Sequence, residues 1–264
     1  MFQLRYVMTI NDFINIGRLQ SKMPKYLDKK KRTIELCADL LEKYKHPYLS
    51  ISGGKDSVAM AYIVGEAAEL SGKKIQLWSH VSDASFPGTI ETCKKVAEDI
   101  RQPLDIYQCP FSAFDVVDSE RRRPFGKTGV FFGSIREYAK DKDLSFVGVR
   151  ADESKRRKKA ALVHGQVFYS KSMGDVTVCH PVLWFTLYDI AATLYEYNAP
   201  IHPIYYKTSI DFGKNSQGEE QFIRLSYITS KDLINKGTAV FLKLNYPEQY
   251  AKLYESYPEI GRWT

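Results

Sequence analysis

The six residues Ser52-Gly53-Gly54-Lys55-Asp56-Ser57 decide how this sequence is interpreted. They follow a short apolar run at 46–51, which predicts a buried strand, and they open an apolar stretch that predicts a helix ending before Gly72. Two adjacent glycines permit positive φ angles and let the backbone approach a ligand closely. The first amides of the helix, with the positive end of its dipole, then form an anion site.

The side chains of this loop narrow the ligand to a phosphate. Ser52 and Ser57 add hydroxyl donors, and Lys55 adds a positive charge. A simple anion site would avoid Asp56, whose presence is explained if Mg²⁺ bridges it to phosphate oxygens. The spacing matches neither GxxxxGK(S/T) nor GxGxxG. A glycine turn with a Ser or Asp helix cap is the alternative, but the full hexapeptide between strand and helix favours a phosphate site.

Strands and helices alternate along the next part of the chain. Strands are predicted at 75–80, 104–109, 144–149 and 176–179, and helices at 33–44, 89–101, 134–140, 151–162 and 186–197. This alternation predicts an α/β fold, a doubly wound and mostly parallel sheet with helices on both faces. We expect three segments: a basic N-terminal helical segment at 1–45, a nucleotide-binding α/β domain at 46–206, and a small helical C-terminal extension at 207–264.

A second motif, GVRADESKRR at 148–157, follows the fourth predicted strand. Arg150 stands at the carboxyl end of that strand, where ligands gather in open α/β sheets. If a helix follows, Arg150, Glu153, Ser154 and Arg157 fall on one face toward the cleft. The guanidinium of Arg150 suits phosphate or carboxylate, and Glu153 is placed to orient an arginine. The alternative is a solvated basic helix, which we favour for the lysines at 155–159.

Both motifs resemble those of a known superfamily. SGGKDS resembles the PP-loop of the ATP pyrophosphatases, which are adenine nucleotide α-hydrolase-like proteins. Residues 148–157 resemble the GxRxxES…R segment of the phosphoadenosine phosphosulfate reductase branch. Further resemblances to that branch follow in order: Asp83 with 86–89, HPVLWFT at 180–186 and PIHPIY at 200–205.

The resemblance implies a substrate and roles for the residues. Related enzymes cleave ATP between the α and β phosphates and transfer AMP to an acceptor, so ATP and Mg²⁺ are the expected cofactors. Three groups of residues carry expected roles: Lys55, Asp56 and Arg150 in catalysis, with Asp56 on the metal; Ser52, Gly53, Gly54 and Ser57 on the β,γ-phosphates; and Asp83 on the ribose or adenine, with Glu153 and Arg157 positioning the acceptor. His180 and His202 each precede a proline, and we expect them to fix loops that frame the cleft.

The cysteines depart from the reductase pattern. Reduction of a sulfonucleotide needs a nucleophilic thiolate near the C-terminus, and cluster-bearing relatives add cysteine pairs. Here no cysteine follows Cys179, and residues 224–229 read RLSYIT where such relatives carry a cluster motif. We therefore expect no iron–sulfur cluster. Two alternatives to adenylation remain: a reductase-like enzyme that uses an external thiol, and a nucleotide-sensing or DNA-binding component without turnover.

The charge balance adds a class of partner. The 264 residues carry 38 Lys and Arg against 31 Asp and Glu, a net charge of +7, and the basic residues cluster at 22–32, 121–123 and 155–159. Such clusters suit an anionic partner such as a nucleotide, tRNA or DNA, or a partner protein. Scattered cysteines, no apolar run long enough to span a membrane and no signal peptide predict a cytoplasmic protein, for which an oligomer is possible.

Overall fold

A computed structural model describes residues 9–82, 85–110, 129–207, 238–256 and 258–264. Its centre is a six-stranded sheet in the order β3-β2-β1-β4-β6-β5. Neighbouring strands are parallel except β5, which is antiparallel to β6. The strands are β1 Pro47–Ser50, β2 Gln76–Val81, β3 Leu104–Gln108, β4 Leu144–Val147, β5 Val167–Ser170 and β6 Val176–Cys179. The predicted α/β class with a mostly parallel sheet is confirmed.

Nine α-helices lie in the described part of the chain. They are α1 Ile10–Gln20, α2 Pro24–Lys43, α3 Lys55–Leu70, α4 Thr89–Asp99, α5 Gly129–Tyr138, α6 Lys155–His164, α7 Leu187–Glu196, α8 Thr238–Asn245 and α9 Pro247–Ser256. Short 3-10 turns include Ala151–Glu153 and Pro203–Tyr206. No helix among the described residues is both long and apolar enough to cross a bilayer.

Helices cover both faces of the sheet, as predicted. On one face, Leu49, Leu77 and Phe146 of the central strands join a core that includes α3 and α7. On the other face, Tyr48 and Trp78 pack with residues of α5. Helix α3 is buried on nearly every side, because α2 and α7 pack against it in addition to the sheet. An α-helix that is apolar all round is typical of such a central position.

The strand order creates a cleft beside β1. From β1 the chain adds β2 and β3 on one side, and it then returns to place β4 on the other side of β1. This reversal is a topological switch point, where the loops after the two central strands diverge and leave a crevice. The SGGKDS loop follows β1 and the GVR segment follows β4, so the two motifs meet at one edge of the sheet.

Two local expectations are corrected. The predicted helix over 151–162 is split, because Ser154 adopts an extended conformation and caps α6 by accepting a hydrogen bond from the Arg157 amide. Consequently Arg150, Glu153, Ser154 and Arg157 do not lie along one continuous helix face. Strand β5 was not among the predicted strands. Three of its four side chains are half-buried and Tyr169 is exposed, and the connection from β5 to β6 contains left-handed backbone at Gly174 and Asp175.

Candidate functional site

The loop after β1 has a fixed shape. The Oγ of Ser57 donates to the Gly54 carbonyl at 2.9 Å and accepts from the Ser52 amide at 3.2 Å, while the two serine Oγ atoms lie 3.1 Å apart. Gly53 has a φ of +72°, and an added Cβ would lie 3.3 Å from Cδ2 of His202. The predicted reason for glycine, a left-handed conformation, therefore applies at Gly53, and a close contact behind the loop adds to it.

Residues 202–205 form the wall behind this loop. The phenol oxygen of Tyr205 accepts the Lys55 amide at 3.1 Å, so that amide of the first helical turn points into the protein. Burial raises the pKa of Tyr205, which keeps the phenol neutral. His202, only 1% exposed, accepts the Ile204 amide at Nδ1 and lies 3.0 Å from the Thr89 hydroxyl through Nε2. The imidazole thus connects the start of α4 to the wall of the loop.

We predict that His202 makes the protein less stable in mild acid. Burial lowers the pKa of this histidine to about 4, although Glu91 opposes the shift. In the unfolded chain the histidine binds a proton near pH 6.5. The neutral His202 therefore contributes its full stabilisation above that pH, and the free energy of unfolding falls as the pH decreases toward 4. Between pH 7 and about pH 5 the loss from His202 is about 1 to 2 kcal/mol. Urea unfolding at both pH values measures this loss, and an equally large loss in the His202→Gln variant would contradict the assignment.

The central feature of the site is a carboxylate between two cations. Asp56 Oδ2 accepts from Lys55 Nζ at 2.5 Å, and Oδ1 accepts from Arg150 Nε at 2.5 Å. The Lys55 and Arg150 side chains are 6% and 1% exposed. Burial alone raises the pKa of Asp56, but the charges of Lys55 and Arg150 outweigh it and hold the pKa well below its usual range. The three residues form a largely buried ionic cluster at the N-terminus of α3.

Glu153 connects Arg150 to α6. Its carboxylate accepts the Arg150 amide at 3.0 Å and also pairs with the Arg157 guanidinium. The other end of Arg150 reaches toward the Phe185 carbonyl, 3.5 Å from Nη1. The Glu153 side chain therefore pairs with the Arg157 side chain, whereas its contact with Arg150 is to the backbone amide.

The structure brings most of the predicted site residues to one edge of the sheet. These are Ser52, Gly53, Gly54, Lys55, Asp56, Ser57, Arg150, Glu153 and Arg157. Asp83, predicted on the ribose or adenine, lies outside the described residues. Two further residues touch the loop and had no predicted role: Tyr205, and Gly148, where an added Cβ would lie 2.9 Å from Ser57 Cα. An aromatic residue after His-Pro and a glycine at a strand end are the sequence signals that could have found them.

The donor set bears on the expected metal. No group of three or more His, Cys, Asp or Glu among the described residues forms a metal site. Both Asp56 oxygens accept from cationic donors, although a carboxylate oxygen can serve a further partner. Mg²⁺ commonly takes one or two protein carboxylates and completes its shell with substrate phosphates and water. The residues present therefore fit a magnesium ion that arrives with a phosphate ligand.

Comparisons with known proteins agree with the motifs. The profile of the phosphoadenosine phosphosulfate reductase domain family matches residues 46–264. No curated protein matches this chain. The solved structures with the same fold include the U34-tRNA thiolase NcsA of Methanococcus maripaludis with its 4Fe-4S cluster, at a TM-score of 0.50 and 15% identity over 89% of this chain and 79% of that one.

Two further structures are similar. The FMN adenylyltransferase of Candida glabrata, in complex with FMN and an ATP analogue, has a TM-score of 0.50 and 15% identity over 77% of this chain and 72% of that one. The phosphoadenylyl-sulfate reductase of Candida auris has a TM-score of 0.49 and 12% identity over 75% and 91%. At such identities the likeness to solved structures concerns the fold. The match of the family profile extends over most of the sequence, and the chain belongs to the phosphoadenosine phosphosulfate reductase domain family.

Proposed function

We propose that the protein binds ATP at the SGGKDS loop, cleaves it between the α and β phosphates, and transfers AMP to an acceptor with release of pyrophosphate. The observation that carries this proposal is the cluster of Lys55, Asp56 and Arg150 at the N-terminus of α3. Two buried cations beside a helix N-terminus suit a ligand with several negative charges. Their position at the switch point suits a nucleotide.

In the proposed reaction a nucleophile of the acceptor attacks the α phosphorus. A new bond forms there, the bond to the α,β-bridging oxygen breaks, and its electron pair leaves with pyrophosphate. Lys55 and Arg150 neutralise the charge that develops on this leaving group. Ser52, Gly53, Gly54 and Ser57 hold the β,γ-phosphates.

The remaining assignments are part of the same proposal. Asp56 holds Lys55 and Arg150 in place and would hold the Mg²⁺ that accompanies ATP. When bound, the ion supplies further charge neutralisation on the phosphates. Glu153 fixes Arg157 on the acceptor side of the site, and Asp83 recognises the ribose or adenine. We also expect action in the cytoplasm, alone or as an oligomer.

Sulfonucleotide reduction with an external thiol is the second candidate, and membership of the reductase domain family supports it. The chain's own thiols are poorly suited to attack sulfur, because all four cysteines are buried. Burial raises the pKa of Cys93 to about 11. The pKa of Cys37 is also raised, mainly by burial and in addition by its contact with Cys179. A thiolate is the reactive form, so a reductase of this architecture would need its thiol from a partner.

The test is incubation of the purified protein with α-labelled ATP, Mg²⁺ and candidate acceptors, including total RNA and cell extract. The expected products are labelled AMP, free or on an acceptor, and pyrophosphate in equal amounts. Adenylation is overturned if ATP binds but stays intact with every acceptor mixture, a result that favours a nucleotide sensor. Release of sulfite from an activated sulfate in the presence of a thiol would instead establish the reductase candidate.

A further inference from the structure

The four consecutive basic residues at 29–32 in α2 are compensated within the protein. Lys29 pairs with Asp189 at 2.5 Å, and Lys30 lies 3.6 Å from Glu66 and 3.3 Å from Glu196. Lys31 and Arg32 pair along the helix with Glu35 and Asp28. Lys30 also lies over the ring of Tyr197, 4.4 Å from its centroid. Lys29 and Lys30 therefore bind α2 to the rest of the domain, and the positive charge of the run at 29–32 is largely neutralised by carboxylates.

Helix α6 differs from α2 in this respect. Its sequence KRRKKAALVH contains five basic residues in succession and no acid. Arg157 pairs with Glu153, whereas Lys155, Arg156, Lys158 and Lys159 are exposed. Among the residues that the structure describes, none of these four has a carboxylate within ion-pair distance. An uncompensated surface of four cations raises the local concentration of a polyanion.

The position of α6 connects this surface to the nucleotide site. The helix begins directly after Ser154, and Glu153 before it holds the Arg150 backbone. Ala161 is the buried residue of α6, and it packs with Leu183. The next residue, Trp184, is 44% exposed, and its carbonyl accepts a hydrogen bond from Lys29 at 3.0 Å. An exposed indole thus lies in the turn on which α6 packs, one residue from the Phe185 carbonyl that faces Arg150.

We infer that α6 and Trp184 form a docking surface for a single-stranded nucleic acid, which is thereby brought to the mouth of the site as the acceptor. Cations without intervening acids match a chain of phosphates, and an exposed indole provides a face on which a base can stack. An acidic protein segment would share the charge complementarity but would have no such use for the indole. The acceptor role rests on the proposed function, whereas the docking itself is measured without ATP.

The first test measures binding by fluorescence anisotropy with labelled RNA and DNA oligonucleotides of about 20 nucleotides. The variant combines Lys155→Gln, Arg156→Gln, Lys158→Gln and Lys159→Gln. The matched control removes the same number of exposed cations away from α6 and Trp184, by combining Lys43→Gln, Lys73→Gln, Lys74→Gln and Lys95→Gln. We expect the α6 variant to bind at least about 30-fold more weakly near 0.1 M salt. We also expect the slope of log K against log salt to become shallower by about 3, because four phosphate contacts are lost. We expect the control to change by less than about 3-fold. Equal losses in both variants would overturn the assignment to α6.

The second test follows Trp184. We expect oligonucleotide binding to quench indole fluorescence, and Trp184→Phe to lose most of the quenching while it binds within about 3-fold of the unaltered protein. Trp184→Ala is expected to bind about 10-fold more weakly, because the aromatic face is gone. Preferential binding of poly-glutamate over the oligonucleotide would overturn the proposal and favour an acidic protein partner.

The two proposals fail in different ways. If the oligonucleotide binds through α6 but no acceptor receives AMP, the docking surface stands and the adenylation is overturned. If AMP and pyrophosphate form with an acceptor while the α6 variant binds and reacts like the unaltered protein, adenylation stands and the docking surface is overturned. The far-ultraviolet circular dichroism of each variant confirms folding, so a loss of binding is not confused with unfolding.

Discussion

Replacing Asp56 with asparagine is expected to reduce formation of AMP and pyrophosphate by at least about 100-fold. The change removes the carboxylate that holds Lys55 and Arg150 at 2.5 Å each, while it keeps nearly the same volume. Two buried cations then lose their common partner, so the free energy of unfolding should fall by about 3 kcal/mol. Labelled-ATP turnover and urea unfolding measure the two effects.

Added pyrophosphate distinguishes a loss of stability caused by uncompensated charge from one caused by disrupted packing. If Asp56→Asn leaves the cations uncompensated, added pyrophosphate should restore part of the lost stability, since its oxygens replace the carboxylate. Asp28→Asn is the matched control, because it removes a carboxylate from an exposed pair with Arg32 and should cost less than about 1 kcal/mol. Full activity of Asp56→Asn would contradict the assigned role of the cluster.

Substituting Gly148 with alanine is expected to separate β4 from the N-terminus of α3. An added Cβ would lie 2.9 Å from Ser57 Cα and 3.0 Å from Ser57 N. Both are backbone atoms of the first helical turn, so the contact is relieved only if α3 moves. We expect a loss of about 1 to 3 kcal/mol in the free energy of unfolding and at least about 10-fold weaker ATP binding. Isothermal titration calorimetry with ATP and urea unfolding are the measurements.

Gly72 provides the control for this substitution. It ends α3 at the far side from the site, has a φ of +64°, and has open space where a Cβ would be. Gly72→Ala should therefore cost about 1 to 2 kcal/mol from backbone strain and leave ATP binding unchanged. If Gly148→Ala binds ATP as tightly as Gly72→Ala does, the close contact between β4 and α3 is not needed for the site.

The architecture could be predicted from sequence to a large extent because its signals are local. The β1 strand, α3 and the loop between them follow from an apolar run, two glycines and a helical pattern over neighbouring residues. The break at Ser154 could not be predicted in the same way, because good helix formers stand on both sides of it, Ala151 and Glu153 before and Lys155 after. There the cap formed by the Ser154 side chain with the Arg157 amide outweighs the propensity of the segment.

Part of the candidate site also followed from its motifs. The loop residues, Arg150 and Glu153 were predicted as candidates on the chemistry of their side chains, and the structure places them at one edge of the sheet. The partner of Arg150 was not predictable, since Asp56 is 94 residues away along the chain. Tyr205 and its hydrogen bond to the Lys55 amide depend on a separation of 150 residues.

The net charge shows what each level determines. The sequence by itself established +7 and three basic clusters, and it predicted an anionic partner for them. Only the tertiary structure decided that Lys29 and Lys30 of α2 have carboxylate partners on α3 and α7, while most of the cations of α6 face solvent. The physical reason is that local patterns fix backbone conformation, but compensation of a charge depends on distance in space. Lys30 and Glu196 become partners when the helices pack, and no spacing along the chain records that contact.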